Sequence, residues 1–384
     1  MHLKKTLYLL FFLSLLLSCE RNTEAIGPEY KIPSADFKML NAFSAAQNNI
    51  DFSISSEQIF TASFSENVSW FVNLKGSKSG AKKSISGFSK ELNMANCKWN
   101  GNHDDLYFFR SGETVVATLT FLGSTLSFTD TFNLVTARSW NIPGKIIPVL
   151  NFESGASTFD YQFYDGPSDK YPTYKVTYSV KNGVQSDMFS GLNNSIQSVL
   201  KNVSGDTIQG FPRGSIEGEK LYRFAGKDGV YNGDGYSDYF IGGAGMGKVG
   251  YYALSSDPDQ VYFNIYVFGT GDPNSKLVIN FNEDDDGNGN ADAGNQSENY
   301  ILYEDEYAYG IQVSWEGWKL ISVKYDDLEL SADGAKAKYG NKKKEPHKIA
   351  KMGFVLLSTK KGDQANVNFD FPVFTIAQIF NPAQ

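Results

Sequence analysis

Two short runs of strict alternation, Val261-Tyr262-Phe263-Asn264-Ile265-Tyr266-Val267 and Leu277-Val278-Ile279-Asn280-Phe281-Asn282, constrain this chain most. A period of two is a strand pattern, and each run offers one apolar side to a core. Gly269-Thr270-Gly271-Asp272-Pro273-Asn274 between them is turn chemistry, so the stretch predicts a β-hairpin. The other side of the first run carries Tyr262, Asn264 and Tyr266, and with Asn280 and Asn282 it makes a surface of phenol rings and side-chain amides. Rings supply flat apolar area, and amides both donate and accept hydrogen bonds. Such a surface either meets a sugar or packs beneath a second layer, and both readings stay open at this point.

Residues 311–323 read as another strand pair, interrupted at Glu316-Gly317. Trp318 alternates with Leu320 and is expected in the core, which leaves Trp315 as the candidate exposed ring. Aromatics at 15% and 36 glycines, with almost no helical periodicity, make the fold class all-β. The Tyr-, Gly- and Asp-rich stretch from Gly229 to Tyr239 predicts loops in which Tyr231, Tyr236 and Tyr239 rim a sugar site or close one end of a sandwich.

At the N-terminus, Met1-His2-Leu3-Lys4-Lys5 is basic and Leu7 through Leu17 is apolar but too short to span a membrane. Leu16-Leu17-Ser18-Cys19 resembles the lipobox of bacterial lipoproteins. The resemblance implies that residues 1–18 are a signal peptide, that Cys19 is lipidated, and that the protein is anchored in an outer membrane facing the cell exterior. Residues 19–34, polar with two prolines, would be a tether. Cleavage would remove Lys4 and Lys5, so 33 of the 35 basic residues would remain against 43 acids, a net charge of −10. That balance argues against nucleic acid, since no basic field would attract phosphates. Cys97 is the only other cysteine, so the exported part cannot rely on an internal disulfide.

From residue 35 to about 140, short strand-like runs separated by turns fit an Ig-like sandwich with Trp70 as its core ring. Trp70, Ser79-Gly80-Ala81, Ile85-Ser86-Gly87, Trp99-Asn100-Gly101 and the run from Phe108-Phe109 to Gly112-Glu113 resemble Ig- or PKD-like modules of surface lipoproteins in Bacteroidota polysaccharide-utilisation systems. In those proteins the module is mostly a spacer. Pro143-Gly144 marks a boundary, and a second domain is expected over residues 146–384. Its opening at Val149 to Gly155, its Gly317-Trp318 and its closing Val367 to Val373 resemble carbohydrate-binding modules of galactose-binding-like jelly-roll fold. That likeness implies a larger jelly-roll β-sandwich, and a structural calcium on Glu153 and Asp370. Asp284, Asp286, Asn288, Asn290 and Asp292 separately show calcium-loop spacing, although an EF-hand would need Glu where Asn295 stands and helices at the flanks.

Only His103 and His347 would remain in the exported chain, and no nucleophile elbow is present, so a triad or a zinc site is not supported. Acids are plentiful, but they sit in turn-like clusters and show no E-x-D-x-x-E strand motif. The expectation is a non-catalytic surface lipoprotein that captures a polysaccharide or oligosaccharide, beside an outer-membrane transporter complex. The platform would be Tyr262, Tyr266 and Trp315, with Asn264 and Asn280 as hydroxyl partners. The alternatives are a structural or protein-partner subunit of a surface complex, and a glycoside hydrolase. If Cys19 carries the anchor, Cys19→Ala should move the protein from the membrane fraction to the soluble fraction, and retention in membranes would refute the anchor.

Overall fold

The computed structural model describes residues 31–149 except 105 and 141, then 190–191, 194–195, 216–217, 221–226, 230–231, 238–247, 251–287, 304–337, 340–360, 363 and 365–380. The chain is all-β, and among the described residues no helix is long and apolar enough to cross a membrane. Residues 1–30, with the signal segment and Cys19, lie outside the described residues, as do Glu153, Tyr236, Asn288, Asn290, Asp292 and Asn295.

The N-terminal part comprises β1 (Met39–Ala45), β2 (Asn49–Asp51), β3 (Gln58–Gly76), β4 (Lys82–Leu92), β5 (Lys98–Trp99), β6 (Glu113–Phe121) and β7 (Ser127–Thr136). Strand β3 does most of the organising. Its first part pairs with β1 and β5, and beyond a register shift between Ser63 and Val68 it pairs with β4 and β6. Strand β6 alternates buried and accessible positions, so that Val115, Ala117, Leu119 and Phe121 all point inward. Trp70, Val72 and Leu74 enter the same core, with Trp70 wholly buried, and the strands join in one seven-stranded sheet. Cys97 is also buried there, and burial pushes its thiol up to about 12. Glu113, 1% exposed, closes the turn before β4: it accepts from Ser79 N and Lys78 N, both at 2.9 Å, and from Arg110 N at 2.6 Å.

The remaining strands form two facing sheets and a separate two-stranded pair. They are β8 (Ile146–Pro148), β9 (Ser190–Gly191), β10 (Asn194–Ser195), β11 (Tyr222–Gly226), β12 (Val230–Tyr231), β13 (Tyr239–Gly247), β14 (Val261–Thr270), β15 (Ser275–Glu283), β16 (Glu306–Gln312), β17 (Glu316–Lys324), β18 (Glu329–Leu330), β19 (Ile349–Ser358) and β20 (Ala365–Ile376). One sheet runs β11-β20-β14-β17 with β8 on β20, the other β12-β13-β19-β15-β16-β18, and β9 pairs only with β10. This arrangement overturns the expected hairpin. Strands β14 and β15 belong to opposite sheets, and so do β16 and β17. Their apolar sides meet across the sandwich, where the Phe263 and Phe281 rings pack edge-on with centroids 5.2 Å apart. A period-2 pattern records that one side is buried, not whether the next strand lies beside it or opposite it.

Gly87 in β4 lies opposite Trp70, and a Cβ there would come within 2.3 Å of the indole ring. Because Trp70 is wholly buried and donates from Nε1 to Ser89 Oγ at 2.9 Å, it has little room to shift. Gly87→Ala should therefore destabilise the protein by about 1–3 kcal/mol, seen as a lower denaturant midpoint, whereas an unchanged midpoint would show that the strand can yield.

Candidate functional site

The outward side of the β11-β20-β14-β17 sheet carries the tyrosine and asparagine face read from the sequence, and registry orders it in rows. Asn368, Phe268 and Trp318 form one row across β20, β14 and β17; Asp370, Tyr266 and Leu320 form the next. Val373, Asn264 and Ser322 follow, then Thr375, Tyr262 and Lys324. Asn366 lies on the same side of β20 as Asn368, because Ala365, Val367 and Phe369 between them point into the core. Phe371 interrupts β20 with φ +50, in a register shift opposite Ile265 that turns Asp370 and Phe371 to the same side.

Much of this face is covered. Phe108, from the N-terminal part, sets its ring 6.1 Å from Tyr266 and 5.0 Å from Phe371, and Trp140 packs at a tilt against Phe108 at 4.8 Å. Ile216, Leu221 and Phe380 complete an apolar cluster with Tyr266, Trp318 and Leu320. Tyr266 is 3% exposed and Asn264 1%, so neither is the accessible contact expected of it. The face does pack beneath a second layer at its centre. Tyr262 and Phe268, on either side of that centre, are half-buried.

The other expected contacts are dispersed. Asn280 is on the outward side of the opposite sheet, with Gly353 and Ala308 as register partners, and cannot share a surface with Asn264. Trp315 is half-buried against the central core, its Nε1 donating to Gly317 O at 3.0 Å and its ring facing Lys319 Nζ at 4.7 Å. Trp318 is buried, but on the outward face rather than between the sheets, so the two tryptophans lie on opposite sides from those expected. Tyr231 and Tyr239 are register partners on β12 and β13; Tyr239 is half-buried, and the Tyr231 side chain is outside the described residues.

Unpaired polar atoms concentrate on the outward face. Among the described residues, buried atoms there without a hydrogen-bond partner are Asn368 Nδ2 and Oδ1, Asn366 Oδ1, Trp318 Nε1, Asn264 Oδ1 and Ser322 Oγ. Asn368 is wholly buried, and the Phe268 and Trp318 rings beside it meet edge-on at 5.4 Å. Flat rings next to an amide with free donor and acceptor capacity are chemistry suited to a polyhydroxylated ligand. Asn366, Asn368 and Phe268 were missed in the sequence, although alternation through Asn366-Val367-Asn368-Phe369-Asp370 already put the polar residues on one side of a strand.

Asp370, expected as a calcium ligand, has its carboxylate oxygens engaged by backbone donors: Ile216 N at 2.6 Å, Glu217 N at 3.3 Å and Phe371 N at 2.8 Å. Asp284 and Asp286 do converge, with Glu304 as a partner not anticipated, their ligand oxygens within 4.8 Å of one another. A second acidic group, Glu283, Asp285 and Asp305, lies at the same end of the sandwich.

No protein-family model matches the chain, and neither does any curated protein. Solved structures to which it is similar include carbohydrate-binding modules. One belongs to the β-sandwich superfamily (12% identity, 90% of this chain and 99% of that one, TM-score 0.31). Another is the family 11 module of a cellulosomal cellulase of Clostridium thermocellum (13%, 50% and 88%, TM-score 0.29), and a third is a family 30 module (11%, 63% and 93%, TM-score 0.33). TM-scores of this size carry neither a ligand nor a site across to this chain.

Burial, reinforced by the Glu217 carboxylate, holds Asp370 well above the usual carboxylate range, although three backbone N–H groups pull the other way. A folded-state pKa above the unfolded one means that the folded state binds the proton more tightly. The stabilisation is then full below about pH 4 and is lost as pH rises through the folded pKa. The stability of the native protein relative to Asp370→Asn should fall as pH rises from about 4, measured by denaturation across pH; a difference independent of pH would refute a raised pKa.

Proposed function

We propose that this chain binds a neutral glycan without turning it over, through the outward face of the β11-β20-β14-β17 sheet, and that it does so as a lipid-anchored protein on a bacterial outer membrane. The observation that carries the binding proposal is the Asn368 amide, wholly buried yet bonded at neither Nδ2 nor Oδ1, beside Phe268 and Trp318. Leaving a buried donor or acceptor unmade costs ~1–3 kcal/mol, so natural folds keep such groups sparingly and often where a ligand completes them. Sugar hydroxyls both donate and accept, and sugar C–H faces stack on aromatic rings. A net charge of −8 disfavours a polyanionic glycan.

One observation favours binding over hydrolysis. The converging acids of Glu283, Asp285 and Asp305 sit at the end of the strands, with Glu283 and Asp305 wholly buried, rather than flanking a cleft beside the rings. The anchor rests on Leu16 to Cys19, and delivery to a transporter complex follows from the surface-lipoprotein resemblance alone. A second reading, in which this face holds protein, is favoured by Phe108 and Trp140, which already pack on it.

Asn368→Leu discriminates between these readings. It removes the unpaired amide while keeping volume, so stability should stay level or rise, because an orphaned polar group is exchanged for apolar contact. Retention on neutral polysaccharide affinity gels should nevertheless weaken at least about tenfold, or roughly 1.4 kcal/mol. A folded Asn368→Leu protein that migrates as the native one does would place any glycan elsewhere.

A further inference from the structure

Strands β15 and β16 end side by side, Glu283 N donating to Asp305 O at 2.9 Å, and both run straight into acidic residues. Alternation distributes these acids between two sides. Glu283, Asp285 and Asp305 bring ligand oxygens within 4.8 Å of one another on one, and Asp284, Asp286 and Glu304 on the other. Both groups are largely buried, with Asp284 as fully enclosed as Glu283 and Asp305, but the first meets the central core, where wholly buried Tyr325 donates to Glu283. The segment 341–348 closes over it, with Asn341 Nδ2 donating to Asp285 Oδ1 at 2.6 Å and Glu345 N to Glu283 Oε1 at 2.7 Å.

Nearby positive charge is limited. Lys342 Nζ reaches Asp305 Oδ1 at 3.2 Å, and Lys348 Nζ is bonded to Glu345 at 2.9 Å. Two lysines, each already paired, thus stand near three carboxylates drawn together in a largely dry site, where like charges repel strongly.

An acidic cluster by itself says little; two unpaired atoms say more. Glu283 Oε2 is buried with no partner, although Oε1 accepts from Tyr325 Oη at 2.7 Å. Tyr307, 2% exposed and outside the acidic group, has a buried hydroxyl with no partner either. Its position is set by registry opposite Phe281, two residues before Glu283, and its ring lies 6.0 Å from Tyr325. After burial, the charges that act most on its phenol are Glu283, Asp305 and Asp285, so the hydroxyl stands in the field of all three.

We propose that Glu283, Asp285 and Asp305 bind a hard divalent cation, with Glu283 Oε2 as its innermost ligand and the Tyr307 hydroxyl as a neutral fourth oxygen. An all-oxygen donor set without His or Cys selects the calcium and magnesium class over zinc or copper. Calcium fits better, because it accepts irregular carboxylate geometry and gives up water readily, whereas magnesium holds its octahedral water shell. The ion would staple the ends of β15 and β16 to the 341–348 segment, independently of whether the sheet face binds glycan.

Titration of chelator-treated protein with Ca2+ while following Tm, and with Tb3+ while exciting tyrosine, tests this directly. Tyr307 and Tyr325 flank the site, so bound Tb3+ should luminesce and be displaced by Ca2+, and Ca2+ should raise Tm saturably. Glu283→Gln should abolish both responses, while its own metal-free Tm equals or exceeds that of the native protein, since a buried carboxylate has been neutralised. Tyr307→Phe, which keeps the ring, should lower Ca2+ affinity at least about threefold and covers the case in which Glu283→Gln does not fold. Absence of saturable binding to the native protein would overturn the proposal. Loss of binding in Asp286→Asn with retention in Glu283→Gln, or unchanged affinity in Tyr307→Phe, would do so as well.

Discussion

The packing of β14 against β15 across the sandwich underlies the rest of the C-terminal architecture. Phe263, Phe281 and Phe374 form its centre, with ring centroids 5.2 to 6.0 Å apart, and Val261, Ile265, Val267, Leu277 and Ile279 extend it along both strands. Burying side chains of this size stabilises by roughly 1.5–3 kcal/mol each, enough to outweigh any preference of the polar sides for one another. Because the apolar sides face inward, the polar sides of the two strands must look out of opposite surfaces. Asn264 and Asn280, which look like neighbours in the chain, are therefore separated by the whole thickness of the sandwich, and any ligand surface must be assembled within one sheet.

Within that sheet, β20 places two contrasting polar residues only two positions apart. Asp370 is buried with three backbone N–H donors converging on it, a closed arrangement that ties Ile216 and Glu217 to the sheet. Asn368 is buried just as deeply, and its side-chain amide has no hydrogen-bond partner. The first has the character of a structural joint, next to the Phe108 and Trp140 rings that bring the N-terminal part onto the sheet. The second leaves hydrogen-bonding capacity unused beside two rings. A single strand thus passes from a region that holds the protein together to one with the chemistry of a binding surface.

The acid-rich ends of β15 and β16 follow the same rule of alternation. Consecutive acids diverge, so a run that looks like one loop in the sequence becomes one group around Glu283 and another around Asp284. Burial pushes Glu283 up to about 8, which expresses how poorly an unpaired carboxylate is tolerated there. Tyr251 donates its hydroxyl to Asp284, whereas Tyr325 donates to Glu283, so the two groups keep separate partners.

The sequence by itself determined the all-β class, which residues of each run face a core, and the buried role of Trp70, because alternation and composition reflect local geometry and the need to bury apolar area. Its evenly open alternative for Tyr262, Asn264 and Tyr266 included the second layer found over Tyr266. Tertiary structure alone decided which sheet each strand joined, and so reversed the sides of Trp315 and Trp318 and separated Asn280 from Asn264. It also brought Glu304 to Asp284 and Asp305 to Glu283 from a distant stretch, and Phe108 onto Tyr266 from another part of the molecule. The physical reason is that a period-2 pattern specifies a strand's two sides but not its neighbours. Those neighbours are chosen by long-range packing of apolar sides, which leaves no mark in any single run of residues.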